Sequence, residues 1–321
     1  MRTVVIGATG HIGSYLVPRL LAAGHDVVSV TRGESEPYRS PGSWSQVEHV
    51  SIDREAAEAE GTFGERIREL RPDVVIDLIC FELDSAERLV RALDGAVQHL
   101  LHCGTIWVHG PSAVVPTTED QAREPFGEYG RKKAEIEAYL LDVARRDGFP
   151  VTVLHPGHIV GPGWEPLNPA GHFSPEVFER LANGDDLALP NLGLETVHHV
   201  HADDVAQAFE AALNNWNRAV GESFHVVSPS AVTLRGYAEA VAGWFGQSAS
   251  LSYLPWEEWR EQVSDEEAEA TWDHIAHSPN CSIEKARHAL GYQPRYTSLQ
   301  AVRESVARLI EDGTVEADTI A

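Results

Sequence analysis

Apolar and polar positions along the first half of the chain alternate between two periods. "RTVVIGA" is a short apolar run. "HIGSYLVPRLLAAG" follows with apolar residues at helical spacing, a possible bend at Pro18 and a stop at Gly24. "HDVVSVTR" reads as a second strand, "FGERIREL" as a helix, "PDVVIDLIC" as a strand, "AERLVRAL" as a helix and "VQHLLHCGT" as a strand. "RKKAEIEAYLLDVARRDG" is a long helix closed by a glycine, and "PVTVLHPG" is the next strand. Such β-α alternation over about 160 residues predicts a parallel sheet with helices on both faces.

Beyond Gly161 the pattern loosens. "GPGWEPLNPAGHFSP" is a Pro/Gly-rich loop, "DDVAQAFEAALNN" is helical, "SFHVVSP" a strand, "TLRGYAEAVAGWFG" a helix and "SIEKARHALGYQP" a late helix with a glycine stop. The expected fold is α/β: a doubly wound parallel Rossmann sheet with a smaller C-terminal α/β substrate lobe. Residues 1–163 would form the dinucleotide-binding domain, joined by 194–228, and residues 164–193 and 229–321 the substrate lobe. Ligand would bind between them, at the carboxyl ends of the strands.

Composition narrows the function. The 321 residues are 43% apolar, enough for a core, and 49 acidic against 25 basic residues leave a net charge of −24. A field of that sign repels phosphate backbones and anionic membranes, so neither nucleic acid nor membrane is an expected partner; the ordinary role of the excess is solubility. No secretory leader pattern and no long apolar span stand out. Cys80, Cys103 and Cys281 form no C-x-x-C pair, which favours reduced thiols and a cytoplasmic location. His198, His199 and His201 invite a metal reading, but only His199 and His201 share a strand face and no cysteine or carboxylate stands at zinc spacing, so no metal is expected. Asp203 and Asp204 read as caps of the following helix. The tryptophans at 244, 256, 259 and 272 read either as core or as a pocket lining, and Trp107 and Trp164 lie nearer the expected cleft.

The first strand runs into Gly7-Ala8-Thr9-Gly10-His11-Ile12-Gly13. Glycines there let the backbone approach a pyrophosphate at a helix N-terminus, where free N–H groups and the dipole favour anions. This places Gly7, Thr9, Gly10, His11, Ile12 and Gly13 at a dinucleotide. The second strand ends at Arg32 with no acid before Glu34, which favours a 2′-phosphate and hence NADP, with NAD the alternative. Arg39 could assist. Asp53, after the third strand, either reaches the adenine amino group or is an ordinary loop aspartate. Tyr129 and Lys133, four apart on a helix, share a face, and an ammonium beside a phenol lowers its pKa from about 10 toward the working range of an acid–base group. Thr105, at a strand end, offers a hydroxyl to hold the reacting oxygen or simply caps the strand.

Together these residues resemble the extended short-chain dehydrogenase/reductase superfamily, the NAD-dependent epimerase/dehydratase group, over nearly the full length. Gly7, Gly10 and Gly13 match its phosphate loop, "GTIWVHG" its Ser/Thr strand and Tyr129-x-x-x-Lys133 its acid–base pair. "HPGHIVGPG" is similar to its Arg-Pro...Gly-Pro segment, with His155 in place of arginine; "HADDVAQAF" and "IEKARHALGYQP" are similar to its later segments. The resemblance implies Thr105, Tyr129 and Lys133 as catalytic, with Tyr129 and Lys133 also at the cofactor beside Cys80, Pro156 and His158. It implies an NAD(P)-dependent oxidoreductase or epimerase acting on a hydroxyl/carbonyl group of a sugar or sugar-like substrate, and allows a homodimer. Ile106 and Trp107 replace the Asp-Glu pair of the dehydratases, and Val197 stands where many nucleotide-sugar epimerases have a phosphate-binding arginine. The look of the chain also resembles a branch that includes chloroplast stem-loop RNA-binding proteins, so a non-catalytic dinucleotide-binding regulator or an RNA-binding protein is the alternative.

Overall fold

The computed structural model describes residues 1–38, 42–318 and 320; Arg39 lies outside them. The elements run β1 (Arg2–Ile6), α1 (His11–Ala22), β2 (Asp26–Thr31), β3 (Glu48–Ser51), α2 (Arg54–Ala59), α3 (Phe63–Glu69), β4 (Val74–Asp77), α4 (Leu83–Leu93), β5 (His99–Cys103), α5 (Gly127–Asp147), β6 (Val151–Pro156) and β7 (His158–Val160). The second part holds α6 (Glu176–Asn183), β8 (Asp186–Pro190), β9 (Thr196–Val197), β10 (His199–His201), α7 (Ala202–Asn214), α8 (Trp216–Ala219), β11 (Ser223–Val226), β12 (Val232–Thr233), α9 (Leu234–Trp244), β13 (Ser250–Leu254), α10 (Trp256–Trp259), α11 (Asp265–His277), α12 (Glu284–Leu290) and α13 (Ser298–Glu311).

Seven parallel strands form the main sheet in the order β11-β6-β5-β4-β1-β2-β3. The reversal between β1 and β4 opens the crevice in which open α/β sheets bind ligands. The central strands read as continuous apolar runs because both faces are covered. One apolar layer packs α1 and α7 on the sheet through Val5, Leu16, Val205 and Phe209. The opposite layer uses Val4, Ile67, Leu89 and Ile136. A third core, with Phe178, Leu189, Tyr237 and Trp259, belongs to the C-terminal segments. There β8 and β13 pair across some sixty residues of sequence.

Pro18 is tolerated inside α1, and α5 begins at Gly127, early enough to include Tyr129 in its first turn. Of the tryptophans, Trp259 is core, donating its Nε1–H to the Ala188 carbonyl, whereas Trp272 is about half exposed. Among the described residues no helix is long and apolar enough to cross a membrane.

Candidate active site

A trough runs along the carboxyl ends of the strands, with two hollows that share Gly7, Gly10, Ile79 and Phe81. The glycine loop forms its floor for steric reasons. Gly7 has φ +85°, and a Cβ on it would lie 2.8 Å from the Ile79 side chain. A Cβ on Gly13 would lie 2.1 Å from the Ala8 carbonyl oxygen, so only glycine lets α1 start this close to β1. The first turn of α1 carries no acid, leaving the positive end of its dipole uncompensated. Thr9 faces the outer hollow and His11, Ile12 and Gly13 the inner one. His11 is buried, neither ring nitrogen has a hydrogen-bond partner among the described residues, and the ring stacks on Trp164 at 5.4 Å. Burial pushes its pKa down to about 3, so the ring is neutral.

The outer hollow is lined by charge. Arg32 and Glu34 meet at 3.5 Å with both side chains mostly in solvent. Asp53 lines the same hollow, but one carboxylate oxygen already caps α2 by accepting the Ala56 N–H at 3.1 Å. Beneath it Arg54 bonds Asp77 at 2.8 Å, a pair almost wholly removed from water.

The inner hollow brings together Thr105, Tyr129, Lys133 and Pro156. Lys133 is 2% exposed and donates to the main-chain carbonyls of Cys80 and Cys103, both at 2.8 Å, with Nζ 4.5 Å from the Phe81 ring centre. Burial lowers its pKa against the pull of nearby Cys103, Cys80 and Asp77. Tyr129 keeps 43% of its surface exposed, with Thr105 close enough to its hydroxyl to favour the ionised form. Here the expected phenol shift is reversed. Burial, aided by the Cys103 thiol, pushes Tyr129 up to about 12, and the Thr105 hydrogen bond offsets only part of this. The Lys133 ammonium, bonded to the two carbonyls, lies 6.0 Å from the tyrosine ring centre.

Three expected positions act differently from their neighbours. The Cys80 thiol is buried, pushed up to about 12 by burial and Asp77, and only the residue's carbonyl serves the site, through Lys133. Pro156 and Gly157 line the inner hollow, but the His158 ring turns into the C-terminal lobe, among Phe173, His199 and His274. The cap of α7 is His201, whose Nδ1 accepts the Asp203 N–H, and not the two aspartates. Asp203 instead pairs with Arg19, and Asp204 accepts the N–H groups of Arg295 and Tyr296. Among the described residues one group of metal-ligating side chains converges, Asp77, Cys80 and His102, and there the Arg54 guanidinium already supplies the cation for Asp77.

Sequence reading missed Glu137 and Arg123. Glu137, one turn beyond Lys133, is 3% exposed, takes a two-pronged contact from Arg123 at 2.7 and 2.9 Å and lies 2.9 Å from His155 Nε2. Burial works to raise its pKa, but the His155 imidazole and Arg123 hold it far below the usual carboxylate range. The available signal was its spacing: Tyr129, Lys133 and Glu137 recur every four residues along one helix face.

The chain is 29% identical to 2′-dehydrokanamycin reductase of Streptomyces kanamyceticus, covering 86% of this chain and 76% of that protein. It is 27% identical to the chloroplast stem-loop binding protein of 41 kDa b of Arabidopsis thaliana, over 95% and 78%. In fold it matches the crystal structure of UDP-glucose 4-epimerase with UDP-glucose from Thermotoga maritima, with TM-score 0.74, 21% identity and coverage of 97% and 99%. Residues 3–226 match the family described as NAD dependent epimerase/dehydratase, and the chain belongs to that family.

Proposed function

We propose that the protein is an NAD(P)-dependent oxidoreductase or epimerase that acts on a hydroxyl/carbonyl group of a sugar or sugar-like substrate. The observation that carries this reading is the meeting of Thr105, Tyr129 and Lys133 in the hollow next to the glycine loop. The cradle suits a dinucleotide: its diphosphate would take the free N–H groups at the start of α1, a negative ligand on a positive helix end. When bound, the nicotinamide supplies or accepts the hydride. Tyr129 then transfers the proton at the substrate oxygen, Thr105 orients that oxygen, and Lys133 contributes a fixed positive charge. A phenol raised to about 12 is a neutral acid at pH 7, the protonation state needed to deliver a proton to a carbonyl oxygen under reduction.

NADP is the favoured cofactor, because Arg32 lines the outer hollow and a 2′-phosphate would compete with Glu34 for it. Family relatives with epimerase and reductase activity support a sugar substrate. Val197, buried in β9, leaves the diphosphate arginine of many epimerases without a counterpart at that position, which favours substrates not held by a nucleotide diphosphate.

The test is dinucleotide reduction followed at 340 nm with NADP+ or NAD+ and a panel of free and nucleotide-linked sugars, UDP-glucose among them, in wild type and Tyr129→Phe. The expected result is turnover that Tyr129→Phe abolishes while keeping dinucleotide binding. Near-normal turnover in Tyr129→Phe would falsify the assignment.

A further inference from the structure

Thr105 has to be aimed. It follows β5 at the start of a short 3-10 turn, where its hydroxyl accepts the Trp107 N–H at 3.3 Å and lies close to Tyr129 in the inner hollow. Its own N–H points the other way, into the protein, and donates to His155 Nδ1 at 3.0 Å. An imidazole nitrogen that accepts carries a lone pair, so the ring proton sits on Nε2, which donates to Glu137 at 2.9 Å. Glu137 is clamped by Arg123. From Thr105 to Glu137 the line is buried: His155 is 0% exposed, Glu137 3% and Thr105 7%.

A second observation points to the same ring. A Cβ on Gly104 would lie 2.4 Å from His155 Nδ1 and 2.7 Å from its Cε1. Gly104 has an ordinary backbone conformation, so close approach and not φ is what requires glycine. Pairing of β5 with β6 sets Cys103 beside Leu154, which brings Gly104 and His155 side by side at the strand ends.

We propose that His155 is a positioning residue: an imidazole, held by Glu137 and admitted by Gly104, whose Nδ1 fixes the Thr105 N–H and so aims the Thr105 hydroxyl at Tyr129. Through Glu137 the helix α5 then sets both halves of the site, Tyr129 and Lys133 directly and Thr105 at one remove. The arginine found at this position in the resembling family has donors only and could not accept the Thr105 N–H. The role rests on the proposed function of Thr105, but the contact itself does not, which separates the two in experiment.

Backbone amide hydrogen exchange, read by 15N NMR on the full chain, tests it without turnover. His155→Leu removes both ring contacts, and His155→Gln restores one acceptor and one donor. The neighbouring Gly104 N–H donates to the Leu154 carbonyl at 2.7 Å and needs nothing from the imidazole, so it is the internal control. In His155→Leu the Thr105 amide should exchange at least about 100-fold faster, with Gly104 within about threefold of wild type; in His155→Gln, Thr105 should return to within about tenfold. An unchanged Thr105 amide, or equal acceleration of Thr105 and Gly104, overturns the proposal. Should His155→Leu not fold, the wild-type ring still decides: its 15N signals, identified by their loss in His155→Gln, must show a proton on Nε2 and a bare Nδ1 at pH 7, and the opposite tautomer or a doubly protonated ring overturns it. Activity retained by Tyr129→Phe would remove the catalytic reading and leave these outcomes untouched.

Discussion

In the outer hollow Arg32 and Glu34 meet at 3.5 Å with 63% and 69% of their side chains in solvent, whereas in the inner hollow Lys133 is 2% exposed and bonded to two carbonyls. The same contrast divides adjacent residues of α5. Lys132 reaches over the surface between Glu82 and Glu128, at 2.6 and 2.7 Å, while Lys133 is sealed in. Exposed pairs contribute little and exchange partners easily, about 0–1 kcal/mol each. A buried charge has its hydrogen bonds assigned by the backbone, and its loss cannot be made good by solvent. The outer hollow is therefore where ligand preference can be tuned, and the inner one is where geometry is imposed.

The largest effect that could break this contrast is on turnover. Tyr129→Phe should lower it by roughly 10²–10⁴-fold with dinucleotide affinity within about threefold, measured by steady-state rates and fluorescence titration. Next comes the buried pair under the outer hollow. Arg54→Leu strands Asp77, 2% exposed, and should cost about 3–5 kcal/mol in urea unfolding; a loss below about 1 kcal/mol would mean that this floor tolerates exchange as the rim does.

Acid should then separate the interior from the rim. Burial lowers the pKa of His11 and His199 to about 3, and of His99, His198 and His274 to about 4. These rings stay neutral in the folded chain and take up protons on unfolding near the ordinary value of about 6.5. Their contribution is complete above that pH and is lost as pH falls toward 4, at about 1.4 kcal/mol per pH unit for each histidine. Asp204, raised to about 6 by burial, works in the opposite direction. The urea midpoint should fall steeply between pH 6.5 and 5, and a flat profile would show the rings are charged or solvated when folded. The smallest effect is at the rim. Arg32→Ala should weaken NADP+ about tenfold and leave NAD+ unchanged, and Glu34→Gln should tighten NADP+ by about two- to threefold, both read by titration. Equal changes for the two dinucleotides would remove Arg32 from cofactor choice.

The fold was legible because its order is written locally. Strand-length apolar runs alternate with helical periods, and Tyr129 and Lys133 meet through a spacing of four that any helix enforces. What escaped reading depends on distance. Arg123, Glu137 and His155 meet Thr105 only after β5 and β6 pair, fifty residues from Thr105 to His155. The phenol shift was read with the wrong sign because residue spacing says which face Lys133 occupies but not how burial raises Tyr129, nor that two carbonyls take up the ammonium's hydrogen bonds. His201 took the capping role expected of Asp203 and Asp204 because α7 starts one residue earlier than that reading needs, which places both aspartates within its first turn. The same limit applies to cofactor choice, since the rim groups of the outer hollow are exposed and their preferences are set by the ligand.

The chain has only three lysines, Lys132, Lys133 and Lys285. With Lys133 sealed in its pocket, amine-directed chemistry meets Lys132 and Lys285 alone among them. Lys285 is tied to Glu222 at 2.7 Å, outside both hollows of the trough. A Lys132→Arg variant would therefore carry one accessible lysine side chain, Lys285, with the buried amine of Lys133 protected by the fold itself.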